Sequence, residues 1–157
     1  MDKLVLANDV FFDEVIHLLD KGRRVTIPVK GFSMLPFIRG GKDTVVLEKA
    51  TEIAPDDIVL FRYSGRWVMH RVLFIEDGLV TIQGDGVWSG REVVGPKQIY
   101  GRAVEILRRG KRRVNPYSAW QLWKVHRWQG LGRLRRYILF IYRHLPWNKK
   151  WLYDNGN

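Results

Sequence analysis

The first feature of this chain with chemical potential is a hydroxyl on a turn: Gly31-Phe32-Ser33-Met34-Leu35-Pro36 sets Ser33 in a glycine-led, proline-closed segment just after a predicted strand. A serine becomes a nucleophile only when a base takes its proton and donors hold the oxyanion that forms. Taken alone, Ser33 reads first as a polar turn residue. The 157-residue chain has no cysteine, which excludes disulfides, thiolate zinc sites and thiol nucleophiles together. Covalent chemistry therefore falls to Ser, Thr or Lys, and no metal or cofactor is called for.

Further segments follow in an informative order. After Val29-Lys30-Gly31-Phe32-Ser33-Met34-Leu35-Pro36 come Asp57-Ile58-Val59-Leu60-Phe61, Val68-Met69-His70-Arg71-Val72, Gln83-Gly84-Asp85 and Ile99-Tyr100-Gly101-Arg102-Ala103-Val104. Together these resemble the successive boxes of signal peptidases and LexA-type repressors, across roughly residues 25–107. Ordered boxes are a far more specific signal than any one motif. A histidine before Arg-Val in the second box is similar to the endoplasmic-reticulum and archaeal-type branch, where the bacterial-type enzymes carry lysine.

The resemblance implies a serine endopeptidase with Ser33 as nucleophile and His70 as base. An imidazole is largely neutral near pH 7 and needs no desolvation to accept a proton, whereas a lysine needs a depressed pKa. A histidine base calls for a third group to orient it. Asp85, in the Gly-Asp box, is the candidate for that role, although an aspartate there can equally cap a turn. The branch carries a further acid downstream, and Glu92 lies near that position without matching it. The Ser33 N–H is the implied oxyanion donor, and Gly31, Phe32 and Met34 are the implied substrate-binding residues. Residues 28–32 are expected to pair with an extended peptide as an added strand. The family's preference for small side chains beside the scissile bond is implied by the resemblance alone.

The elements that must position these groups are short. Asn8 reads as the N-cap of a helix over residues 9–20, stopped by Gly22, with Phe11, Phe12, Val15, Leu18 and Leu19 on one face. Residues 24–107 read as β-rich runs at 25–30, 44–47, 58–63, 67–75, 79–83 and 99–107, with hairpin turns at Ser64-Gly65 and Asp77-Gly78. The expected fold is mainly β, a small coiled antiparallel barrel, with a short N-terminal helix in residues 1–23. Residues 108–157 form a tail: a basic linker to Pro116, then helical patterns over 118–129 and 131–145, closed by Pro146. In the second pattern Leu131, Leu134, Ile138, Ile141 and Leu145 recur at helical steps.

Charge divides the chain at the same boundary. Residues 1–107 hold 14 Lys/Arg against 15 Asp/Glu, whereas residues 108–157 hold 13 Lys/Arg, one acid (Asp154) and five of the seven tryptophans. The partner-seeking surface is therefore the tail. Over residues 115–157 its composition suits an anionic membrane surface, and packing on the barrel or a protein partner equally; nucleic acid is the least favoured.

No export signal or spanning run is apparent, so the expected location is the cytoplasm, with peripheral attachment to the inner face of a membrane. Two departures from the resemblance bear on function. Signal peptidases are tethered by a transmembrane helix, in whose place this chain has only the short N-terminal one. Self-cleaving repressors cut Ala-Gly or Cys-Gly bonds, and neither dipeptide occurs. The expected substrate is a peptide or protein, and the alternative is a non-catalytic peptide-binding module anchored by the tail.

Overall fold

The computed structural model describes residues 3–145, with side chains from Asn8 to Leu145. Its first helix, α1, spans Lys3–Asp20, so Asn8 lies inside the helix and does not cap it. The preceding Leu4, Leu6 and Ala7 are good helix formers, and nothing there interrupts the winding. At the other end Gly22, at φ +75°, donates to the Leu19 carbonyl (2.9 Å) while Arg23 donates to that of Leu18 (3.1 Å). This paired closure needs a left-handed residue, which glycine supplies without a Cβ clash. Val15 and Leu19 are the buried face of α1, and Phe12 stacks on Trp67 with ring centroids 5.2 Å apart.

Eight strands form one antiparallel sheet: β1 (Val25–Pro28), β2 (Thr44–Lys49), β3 (Ile58–Tyr63), β4 (Arg66–Glu76), β5 (Leu79–Gln83), β6 (Glu92–Val94), β7 (Ile99–Arg108) and β8 (Arg112–Val114). The order is β1-β2-β7-β3-β4-β5-β6, with β8 on β7. Both predicted hairpin turns are present, and both central residues of each take positive φ: Ser64 and Gly65, then Asp77 and Gly78. That turn matches the natural strand twist.

The sheet has two end strands, β1 and β6, so it is not closed as a hydrogen-bonded barrel. Pro28 has no N–H to offer a further strand, and the chain leaves β1 there for a long loop. β6 and β8 were not expected from the sequence; each is only three residues long, too short for a period-2 signal. Because β8 joins the sheet, part of the basic stretch expected to be a linker is structural.

Strand β3 carries the sheet's two cores. Ile58 and Leu60 point into one, with Val15, Leu19, Ile27, Val45 and Leu47, while Val59 and Phe61 point into the other, with Val72, Val80 and Ile82. Successive side chains of a strand face opposite sides, so a central strand coated on both faces loses the apolar-polar alternation. Where β3 diverges from β7, Tyr117 takes over: its hydroxyl donates to the Ala103 carbonyl (2.6 Å) and accepts from the Ile58 N–H (3.1 Å). Burial pushes that phenol up to about 12.

The tail folds as α2 (Ala119–Gly130), capped by Ser118, and α3 (Arg135–His144), which follows a short 3₁₀ turn. Val125, Trp128 and Leu139 pack on Leu35 and Phe37 of the loop between β1 and β2. Pro146, Trp147 and Trp151 lie outside the described residues. Among the described residues no helix is long and apolar enough to cross a membrane.

Candidate active site

Ser33 sits in the loop of residues 29–43, which leaves β1 and returns as β2. Its two ends are tied together: the Val29 N–H donates to the Asp43 carbonyl (3.2 Å) and the Gly41 N–H to that of Val29 (2.7 Å). Gly31 and Gly40 cross so closely that a Cβ on Gly40 would lie 2.2 Å from the Gly31 carbonyl oxygen. The buried Asp43 carboxylate accepts from Arg108 Nη1 (2.7 Å), from the N–H groups of Arg39 and Arg109, and from the Arg39 side chain. Burial alone would raise its pKa, but these donors outweigh it and hold the group below its ordinary value. Within this frame Ser33 and its neighbours form consecutive turns, with Leu35 N–H donating to Phe32 and Ile38 N–H to Met34. Ser33 is half-buried.

His70 is held on β4, opposite Val59, with only 6 % of its surface exposed. Its Nδ1 lies 3.1 Å from Glu92 Oε2 on β6. An ionised carboxylate only accepts, so the proton is assigned to Nδ1 and the Nε2 lone pair is left to take another. This is the polarity a general base needs.

Asp85, the expected orienter, is not on His70. Its carboxylate is clamped by the adjacent Arg71, Nε to Oδ1 at 2.9 Å and Nη2 to Oδ2 at 2.8 Å, both side chains being almost wholly buried. A buried guanidinium demands a charged, two-oxygen partner, and that demand consumes Asp85. Burial would lower the Arg71 pKa, yet the Asp85 charge holds it above its ordinary value. Glu92, which the motif did not match, is the carboxylate at His70. Its place on the short strand β6, paired with Ile82 of β5, was the missing signal.

Asp85 acts on the site through its neighbours. A Cβ on Gly84 would stand 2.3 Å from the Ser33 carbonyl oxygen and 3.0 Å from His70 Nε2, and one on Gly86 would stand 2.4 Å from the Phe32 carbonyl. The Gly86 N–H donates to the Ser33 carbonyl at 2.8 Å. Both glycines thus let one backbone press on another, and Gly84 lies against the Ser33 carbonyl on one side and the His70 ring on the other. Asp85 pins this segment to β4 through Arg71, and Trp128 Nε1 of α2 donates to its carbonyl (2.7 Å).

Ser33, His70 and Glu92 line one cleft of about 610 Å³. Its walls are the Ile27–Lys30 segment, the Trp67–Met69 stretch of β4, and Asn8, Phe11 and Phe12 of α1, the last three unforeseen from the sequence. Of the three expected substrate-binding residues, only Met34 lines it. Phe32 instead packs beside Leu139 and Tyr142, with the Arg143 guanidinium 5.1 Å over its ring, and Gly31 supplies the bend at φ +77°.

Val29 spends both backbone groups on the loop, so by strand alternation the backbone groups of Thr26 and Lys30 face the opposite edge, on which no strand pairs with β1 among the described residues. Among the described residues no group accepts from the Ser33 N–H. Comparison of the chain with protein-family models gives no match, and comparison with curated proteins gives none.

Proposed function

We propose that the chain is a serine endopeptidase of the signal-peptidase type, in the branch with a histidine base. The observation that carries this reading is the convergence of Ser33, His70 and Glu92 on a single cleft beside the open edge of β1. In this mechanism an extended peptide lies along β1 as an added strand, its carbonyl beside Ser33. Ser33 Oγ attacks the carbonyl carbon as its proton passes to His70 Nε2. The Ser33 N–H holds the oxyanion and Glu92 steadies the imidazolium. Collapse breaks the C–N bond, His70 hands the proton to the leaving amine, and water then hydrolyses the ester on Ser33 by the same route.

The coiled sheet reads as a small barrel opened at one seam, with the cleft as that seam. The test is cleavage of a peptide library by the intact chain, with Ser33→Ala and His70→Ala beside it. Both substitutions should abolish cleavage with the fold intact, and equal cutting by the Ser33→Ala protein would overturn the mechanism.

A further inference from the structure

We infer that the outer face of α2 and α3 docks on the surface of an anionic lipid bilayer. The helix α3 turns its apolar stripe away from the body of the protein. Leu139 is its buried apolar contact, whereas Tyr137, Ile138, Phe140 and Ile141 are 44–63 % exposed, as is Leu134 just before it. In helical projection Leu134, Tyr137, Ile138 and Ile141 share an arc of about 100°, the width of a face that normally seeks a core. On α2 the exposed Trp120 and Trp123 stack on each other, centroids 5.0 Å apart and 8° from parallel.

The charges around this face select its occupant. Lys124 lies over the Trp120 ring, Arg127 over Trp123 and Arg136 over Tyr137. Residues 108–145 contain no acid. Exposed aliphatic side chains on α3, with exposed rings and the cations stacked on them along α2 and α3, supply the three chemistries that an anionic bilayer surface offers, from acyl chains outward to head groups. A second copy fits poorly, because two such faces carry the same charge. Nucleic acid fits poorly as well, since Leu134, Ile138 and Ile141 offer neither stacking nor phosphate contacts.

The same helix forms the back of the nucleophile loop, where Leu139 meets Leu35 and Phe37. Docking therefore holds the Ser33 loop within one helix diameter of the lipid, about 10 Å. On the peptidase reading, from which the docking itself is independent, the substrates are peptides presented at a membrane surface.

Flotation of the full-length protein with vesicles tests the docking without reading cleavage. With about 30 % phosphatidylserine in phosphatidylcholine, the protein should float, and binding should fall by about tenfold or more on pure phosphatidylcholine. A Leu134→Ser/Ile138→Ser/Ile141→Ser protein, altered only at exposed positions, should lose about tenfold in partitioning while its circular dichroism and melting stay unchanged. Arg127→Gln/Arg136→Gln, which keeps the apolar face, should lose the preference for anionic vesicles. Failure of the intact chain to float, or flotation unaffected by the triple substitution, overturns the proposal. So does a dimer in light scattering that the triple substitution dissolves while vesicles bind nothing.

Discussion

Exchanging each acid for its amide separates the roles of Glu92 and Asp85. Gln at position 92 can still accept from His70 Nδ1 but brings no charge to steady an imidazolium. Charge-assisted hydrogen bonds contribute about 1.5–3 kcal/mol, and each 1.36 kcal/mol is tenfold in rate, so Glu92→Gln should lower kcat/KM by about 10- to 150-fold. The Glu92 side chain is 21 % exposed, so stability should move by less than about 1 kcal/mol. Asp85→Asn does the reverse. It strips the charge from a buried pair and strands Arg71, which is 1 % exposed, at a cost of about 3–5 kcal/mol. Per folded molecule, its kcat/KM should stay within about tenfold of the parent, because Asp85 acts on the site only by anchoring Gly84 and Gly86. Urea denaturation and peptide-cleavage kinetics normalised to folded protein measure both quantities. If Asp85→Asn cripples turnover at unchanged stability while Glu92→Gln leaves it intact, the assignment of the two carboxylates is wrong.

Two further outcomes follow from the packing. Gly84→Ala should cost about 1–3 kcal/mol by overpacking and about 10²-fold in kcat/KM, since relieving a 2.3 Å contact parts Ser33 from His70 by about 1 Å; kinetics and denaturation at parental level in this variant would remove the close-approach argument. Tyr117 gives a pH signature. Its phenol is raised in the folded state, so the folded protein keeps a proton that the unfolded chain releases above about pH 10. The stabilisation is therefore complete below pH 10 and declines up to about pH 12, by about 2 kcal/mol for this partly exposed ring. Chemical denaturation across that window should show the decline in the parent and not in Tyr117→Phe, which is itself destabilised at neutral pH because the Ile58 N–H and Ala103 carbonyl lose their partner.

Local grammar made much of the fold legible. The turns at Ser64-Gly65 and Asp77-Gly78 and the Gly22 stop are each decided by a few adjacent residues, and all appear where those residues sit. The start of α1 was misplaced, because a preferred cap yields to a helix already under way. The strands β6 and β8 were invisible, because three residues cannot display a period and only their partners hold them in the sheet.

The hydroxyl and the imidazole were determined by the sequence alone, as chemical types in an order that resembles a known arrangement. Which carboxylate serves the imidazole was decided only by the tertiary structure. Asp85 and Glu92 are both acids downstream of His70, and nothing local distinguishes them. Packing does: it buries Arg71 beside Asp85, whose charge must then stay there, and brings Glu92 across on β6 to His70. The outward turn of the α3 stripe was settled in the same way. Periodicity determined that the helix has an apolar face, but whether that face meets the body or solvent depends on which side Leu139 finds the nucleophile loop.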